Sequence, residues 1–233
     1  MGAAVGGVLR GQGQRVLWAS EGRSEETRGR AEAAGLEDVG SVARVAEADV
    51  VFSICPPHAA LDVARSASFG GIYVDANAVS PATAAKVADA VDQFVDGGIV
   101  GSPPREAGTT RLYLSGERAA EVAALFTGSV LDARVVSNAS AVKMAYAAWT
   151  KGTAAMLLAI RELARREGVE EALLAEWDLS QPELRDRYGR ALRSAEAKGW
   201  RWVAEMEEIA SSFEADGLPG GFHRAAAEVY RER

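Results

Sequence analysis

MGAAVGGVLRGQGQRVLWAS, residues 1–20, reads as a short helix carrying Gly2, Gly6 and Gly7, a Gly-Gln-Gly turn, and an apolar strand, RVLWA, over 15–19. Gly11 and Gly13 stop the helix. A helix feeding a strand in this way is the second half of a βαβ unit, whose opening strand is expected upstream of Met1. The alternation continues along the chain. Ser24 caps a helix over 24–34 that stops at Gly35, and a short amphipathic helix covers 41–48. DVVFSI (49–54) is a continuous apolar run of strand length, the pattern of a strand covered on both faces. A helix over 58–67, a strand GIYVDAN (71–77) and a helix SPATAAKVADAV (80–91) follow, the last with a Ser cap and Pro at its first position. Strands are expected at 93–100, 110–116 and 134–136, with a helix at 117–126. The spacing predicts an α/β fold, a Rossmann-like, mainly parallel sheet that lacks its first strand.

After residue 137 the character changes. Ser140 to Arg166 is an almost unbroken Ala/Leu/Met/Lys/Arg segment, with Gly152 the only helix-weakening residue well inside it. Helices are expected at 169–177, 182–197, 200–215 and 220–231. The chain therefore divides into an α/β part, 1–137, and an all-helical C-terminal part, 138–233.

Composition narrows the function. Of 233 residues, 33 are acidic and 26 basic, a net charge of −7. That balance argues against a nucleic-acid partner or an anionic membrane. Cys55 is the single cysteine, so no intrachain disulfide forms, and with two histidines no metal site is expected. No run of about 18 apolar residues and no signal-peptide pattern occurs, so a cytoplasmic protein is expected.

In a dinucleotide-binding fold the first strand runs into G-x-G-x-x-G and the next helix begins on that loop. Met1-Gly2 stands where the last two positions of that motif would stand. SICPP (53–57), DANAVSP (75–81), VDGGIVGSPP (95–104) and SAVKMAYAAWTKG (140–152) follow in order. Together these five stretches resemble the β-hydroxyacid dehydrogenase and 6-phosphogluconate dehydrogenase-like superfamily. SICPP looks like its cofactor-contacting loop, which implies cofactor contacts for Cys55 and Pro56. DANAVSP is similar to its Asp-x-Ser-Thr-x-Ser-Pro motif, with Asn77 and Ala78 replacing Ser-Thr. VDGGIVGSPP looks like its substrate loop, with Val100 at a serine position and Gly101-Ser102 after it. The last stretch is similar to the catalytic helix Lys-x-x-Asn-Asn: Lys143 matches the lysine, and Tyr146 and Ala147 replace the asparagines. KGWRWVAEMEEIA and GLPGGFHRAAAEVY look like the helical C-terminal domain of a separate branch of the superfamily. The resemblance implies an oxidoreductase that moves hydride between a nicotinamide cofactor and a small hydroxy acid or carbonyl compound, and a homodimer built through the helical domain.

The residues refine this. Ser20 stands where NAD-specific folds place an acid against the ribose, with Arg23 and Ser24 just beyond. An arginine fork suits a phosphate, so the expected cofactor is NADP (NADPH), bound by Met1, Gly2, Ser20, Arg23, Ser24, Cys55, Pro56 and Asn77; Glu21 points the other way. Lys143 is the expected general acid and base. Tyr146, one turn on, is a second donor or a packing residue. Gly97, Gly98, Gly101 and Ser102 are expected in loops at strand carboxyl ends, where backbone amides can approach an anion closely; the resemblance implies that this anion is a substrate carboxylate. Cys55 is expected to be a small buried residue rather than a nucleophile based by His58. His223, at the start of the last helix, is expected to be an ordinary packed or exposed histidine rather than a residue of the active-site cleft, and Trp177, Trp200 and Trp202 are expected to pack. Two rival readings stay open: an imine reductase on the same scaffold, and a non-catalytic NADP-binding or scaffold relative.

Overall fold

A computed structural model describes residues 1–232. The chain forms two compact units, Met1–Lys143 and the chain from Met144 onward. The division falls inside a helix rather than at residue 137.

In the first unit, helix α1 (Gly2–Gly11) leads to β1 (Leu17–Trp18), α2 (Glu25–Ala33), β2 (Glu37–Asp38) and α3 (Val42–Val45). Then come β3 (Val50–Ser53), a 3-10 turn (Pro57–Ala59), α4 (Ala60–Arg65), β4 (Ile72–Asp75) and α5 (Pro81–Ala88). The unit continues with β5 (Phe94–Gly101), β6 (Thr110–Ser115), α6 (Ala119–Ala124) and β7 (Leu131–Val135). Strands β3 to β7 make one sheet in sequence order, parallel except for β5 against β6. β1 and β2 pair in parallel as a second, two-stranded sheet. β2 has no counterpart among the expected strands: it is two exposed acidic residues, too short and too polar for an alternation signal.

The main sheet is buried on both faces, as its apolar runs require. Ile72 and Val74 pack on one side with Val5 and Leu9 of α1 and with Ala119 and Val122 of α6. Tyr73 points to the other side, among Ala60, Ala64, Ala84 and Val87 of α4 and α5. This is the period of two of a pleated strand sorting side chains between two helical layers. Helix α1 touches both sheets. Gly2 lies against Ile54, just past β3. A Cβ on Gly6 would meet the Leu36 methyls at 3.0 Å, so the glycine permits the close approach.

Helix α7 (Ala139–Arg166) begins in the first unit and continues into the second. There α8 (Glu170–Ser180), α9 (Leu184–Ala215) and α10 (Gly221–Arg231) complete a helical assembly. The two helices expected at 182–197 and 200–215 are one 32-residue helix, α9. Gly199, which lies between those two ranges, is buried with Tyr230 of α10 beside it. Its cost of about 1 kcal/mol is small against the packing of so long a helix. Trp202 meets Tyr230 edge-on at 5.1 Å, and the Tyr230 hydroxyl donates to the Lys151 carbonyl of α7 at 2.6 Å. Lys151 and Glu205 form a buried ion pair between α7 and α9. No helix of the described residues is long and apolar enough to cross a membrane.

Candidate active site

Four paired residues cross the main sheet at the carboxyl ends of β3 and β4. Ser53 of β3 stands opposite Asp75 of β4, Asp75 opposite Asp96 of β5, and Asp96 opposite Ser115 of β6. Polar side chains in the middle of an apolar sheet are costly unless they are bonded. Each acid in this row is bonded, and each holds a different segment.

Asp75, 1% exposed, accepts from the backbone N of Asn77 at 3.0 Å and from its side-chain amide. Asn77 gives its other amide hydrogen to Ser53 Oγ at 3.0 Å, and its Oδ1 receives the Cys55 backbone N–H at 2.5 Å. Asn77 is therefore a clamp that fixes the backbone of the Cys55-Pro56 loop. Burial pushes the Cys55 thiol up, which keeps it protonated and suits a small packed residue rather than a nucleophile.

Asp96 turns to the start of α7. Its Oδ2 accepts from Ser140 N at 2.8 Å, and the Ser140 hydroxyl donates to its other oxygen. Ser115 Oγ takes the Ala139 amide at 2.9 Å, and Asn138 Oδ1 takes the Ala141 amide at 2.8 Å. The first three amides of α7 thus have side-chain acceptors from three segments, and a carboxylate sits at the positive end of the helix. One turn further, Lys143 Nζ donates to the Ile99 carbonyl at 2.9 Å. Asp96 was missed in the sequence, although an acid within an otherwise apolar strand, VDGGIV, was the available signal.

Gly97 and Gly98 are not in a loop, contrary to the sequence expectation. They lie within β5, paired to Leu114 and Tyr113 of β6. A Cβ on Gly98 would stand 2.9 Å from both the Ala139 carbonyl and Lys143 Cβ. One on Gly97 would stand 2.9 Å from the Asp75 carbonyl. Both glycines are there for close packing of α7 and β4 on β5. Gly101 ends the strand with φ +118°, and a Cβ there would strike the Thr109 carbonyl at 2.2 Å. Ser102 is exposed, and its carbonyl accepts from Thr110 Oγ1.

The other candidate residues gather at α1, β1 and α2. Met1-Gly2 open α1, which has no side-chain cap and no acid in its first turn. Ser20 follows β1 and is buried. Its hydroxyl and the Gly40 amide bond the Asp38 carboxylate and hold it below the usual range. Ser24 caps α2 by accepting the Thr27 amide at 3.3 Å. Both hydroxyls offered by the sequence for a phosphate are thus already engaged. The cations are Arg23, which is exposed and whose charge reaches the Cys55 thiol, and Arg28, a residue the sequence reading passed over. Arg28 Nη2 donates to the Ser20 carbonyl at 3.0 Å, which brings its guanidinium to the end of β1. Its signal was its place on the first turn after the Ser24 cap.

In the helical unit, Tyr146 is 47% exposed on α7. Trp177 is buried and Trp202 packs, but Trp200 is 68% exposed, unlike the packing residue expected. His223 is buried against Phe213, ring centroids 4.5 Å apart, and its Nδ1 has no hydrogen-bond partner.

A mainly parallel sheet with helices on both faces, followed by a helical C-terminal region, is a Rossmann-like architecture. Residues 164–233 match a family model described as a domain of unknown function, DUF1932. The chain is 29% identical to the conserved protein MTH1747, whose structure is described as similar to 3-hydroxyacid dehydrogenases; the match covers 99% of this chain and 92% of that one, with TM-score 0.69. A conserved hypothetical protein from Sinorhizobium meliloti 1021 is 30% identical, with 98% and 84% covered and TM-score 0.68. A reductive aminase from Aspergillus terreus, solved with NADPH and ethyl levulinate, shares the fold at 16% identity, TM-score 0.56, with 99% and 88% covered. An uncharacterized 28.5 kDa protein of Methanothermus fervidus is 34% identical over 166 residues, 66% of this chain. The alignment spans 63% of that relative's length. Over nearly its whole length the chain is thus similar to 3-hydroxyacid dehydrogenase-like proteins.

Proposed function

We propose that the protein is an NADP(H)-dependent oxidoreductase acting on a small hydroxy acid or carbonyl compound, with a homodimer as its working unit. The observation that carries the reading is the anchoring of Lys143. Asp96, Ser115 and Asn138 fix the start of α7, Gly98 lets it lie close on β5, and the lysine's ammonium rests on the Ile99 carbonyl.

The chain's residues suit the cofactor. The amide-rich start of α1, without cap or acid, favours a pyrophosphate. Arg23 and Arg28 suit the 2′-phosphate that distinguishes NADP from NAD. The Cys55-Pro56 backbone, held by Asn77, forms a firm wall at the strand ends. NADPH held by these residues would supply the hydride for reduction of the substrate carbon. Lys143 delivers a proton to the substrate oxygen as the carbonyl is reduced, and takes it back in the oxidation direction. Tyr146, three residues on, is the second candidate for that proton. Gly101 and Ser102, at the end of β5, are the backbone offered to a substrate carboxylate.

The test is NADPH oxidation with a panel of small keto acids, aldehydes and cyclic imines, for the native chain and for Lys143→Met. The expected result is turnover of one class by the native chain, a loss of 10²-fold or more in kcat for the variant, and unchanged NADPH binding by fluorescence. Turnover that survives Lys143→Met removes the lysine from the chemistry. Absence of NADPH binding by folded protein removes the oxidoreductase reading.

A further inference from the structure

Strand β6 carries Arg111 one residue from its start. Leu112 and Leu114 of that strand enter the core on the side of α1 and α6. Arg111, Tyr113 and Ser115 therefore alternate onto the opposite face. Their partners on β5 are Val100, Gly98 and Asp96. This is also the face on which α7 lies, since a Cβ on Gly98 would meet Lys143 Cβ. Arg111 and Lys143 thus share one face of the sheet. The Lys143 ammonium rests on the Ile99 carbonyl, and Arg111 stands across from the next residue, Val100. Residues paired in this way have Cα atoms about 5 Å apart.

Arg111 is half-buried, yet no carboxylate among the described residues pairs with it. The acid opposite it on β7 is Asp132. Asp132 is turned to Arg134 instead, its Oδ2 accepting from Nε at 2.9 Å and from Nη2 at 2.6 Å. The loop between β5 and β6, residues 102–109, holds one acid, Glu106, and one further cation, Arg105, both exposed. Arg111 Nη1 donates to the Gly108 carbonyl of that loop at 2.9 Å. This holds the guanidinium at the end of β5 and uses one of its five N–H donors. Val100 offers it no polar group and Gly101 no side chain. The arginine therefore keeps a donor edge for a group that arrives from outside the chain.

We propose that Arg111 is the specificity-determining residue of the site: its guanidinium pairs with the acidic group of the substrate, and the chain thereby selects oxo acids over neutral carbonyl compounds and imines. The assignment rests on the oxidoreductase reading above, in which the backbone of Gly101 and Ser102 is offered to the same carboxylate. Backbone amides give an anion a place, but a neutral acceptor also fits them. A guanidinium fork adds a full charge and a two-point geometry that an ester or amide does not match. The charge matters more in an acidic protein. At net charge −7 the chain as a whole repels a carboxylate, and a local cation offsets that at the point of binding.

The experiment compares the native chain, Arg111→Gln, Arg111→Lys and Arg105→Gln in steady-state kinetics with the keto acid best turned over in the panel and with its methyl ester. Circular dichroism confirms folding. Arg111→Gln keeps a donor for the Gly108 carbonyl and loses the charge, whereas Arg111→Lys keeps the charge and loses the fork. In Arg111→Gln, KM for the acid is expected to rise about 10- to 100-fold, the weight of one charge-assisted pair. Its kcat is expected to change little, and KM for the ester far less than KM for the acid. Arg111→Lys is expected to recover much of the loss, and Arg105→Gln to match the native chain. Equal changes for acid and ester, or no change, overturn the proposal and leave Arg111 as a loop anchor. A native chain that turns over only neutral compounds overturns it too. Calorimetric titration with malonate separates this inference from the reading it rests on. Malonate bound by the native chain and lost in Arg111→Gln supports the anion site even where no substrate is turned over, and then the oxidoreductase reading alone falls. Malonate bound by both proteins alike, or by neither, overturns the anion site whether or not NADPH is oxidised.

Discussion

Asp75 and Asp96 stand opposite each other on the neighbouring parallel strands β4 and β5, and each carboxylate holds a different part of the candidate site. Asp75 grips Asn77 and, through it, the loop after β3. Asp96 grips the first turn of α7 and, through it, the helix that carries Lys143. Adjacent strands lie about 4.8 Å apart, so the two holds are made side by side, with Ser53 and Ser115 flanking them.

Removing the Asp96 carboxylate uncovers the start of α7. Asp96→Ala is expected to lower unfolding free energy by about 2 kcal/mol, the scale of a lost charged cap. Asp96→Asn, which keeps an acceptor, is expected to lose less. In both, kcat is expected to fall more than KM rises, because the lysine is displaced while the cofactor edge is untouched. Urea denaturation and steady-state kinetics check this, and equal stability of Asp96→Ala and native protein would contradict it.

At Gly98, α7 lies close on β5. Gly98→Ala puts a Cβ 2.9 Å from the Ala139 carbonyl and Lys143 Cβ. Backbone must move to relieve it, at about 1–3 kcal/mol. Thermal melts are expected to show that loss together with reduced turnover. Gly108→Ala is strained by its positive φ of 81° but has nothing within 4 Å to strike. It is expected to leave turnover intact.

Cofactor choice is expected to depend on Arg23 and Arg28. Replacing either by Ala should weaken NADPH binding about tenfold, the loss of one charge-assisted phosphate contact at about 1.4 kcal/mol. NADH binding should hardly change. Fluorescence titration with both cofactors measures the ratio, and parallel losses for NADH and NADPH would place the arginines elsewhere.

Burial holds the imidazole of His223 below its ordinary pKa, because its charged form is poorly solvated against Phe213 and Gly152. Above the unfolded value of about 6.5, neither folded nor unfolded chain is protonated there and the residue is neutral to stability. As pH falls below that value the unfolded chain takes up a proton first, so folding weakens until the folded imidazole also titrates. Unfolding free energy is therefore expected to decline below about pH 6.5, and less steeply in His223→Phe. Identical pH profiles for the two proteins would show that His223 does not contribute.

The sequence by itself determined the layers. Apolar runs such as DVVFSI and GIYVDAN are strand-length and flanked by helix-forming segments, and the long Ala-rich stretch after Ser140 has only one helix-weakening residue. Local pattern suffices for such elements because their burial follows from period alone. It also singled out Lys143 and Asn77, through the order of motifs. What only the tertiary structure decided are the relations between residues far apart in the chain. Asp96 caps a helix 44 residues away, Arg28 is drawn to the Ser20 carbonyl, and Gly97 and Gly98 face neighbouring backbones inside a strand rather than a ligand in a loop. The single helix α9 belongs here too, since the contact of Gly199 with Tyr230 outweighs a glycine's local preference to break. Strand register and helix docking set these pairings, and neither is written in the spacing of one segment.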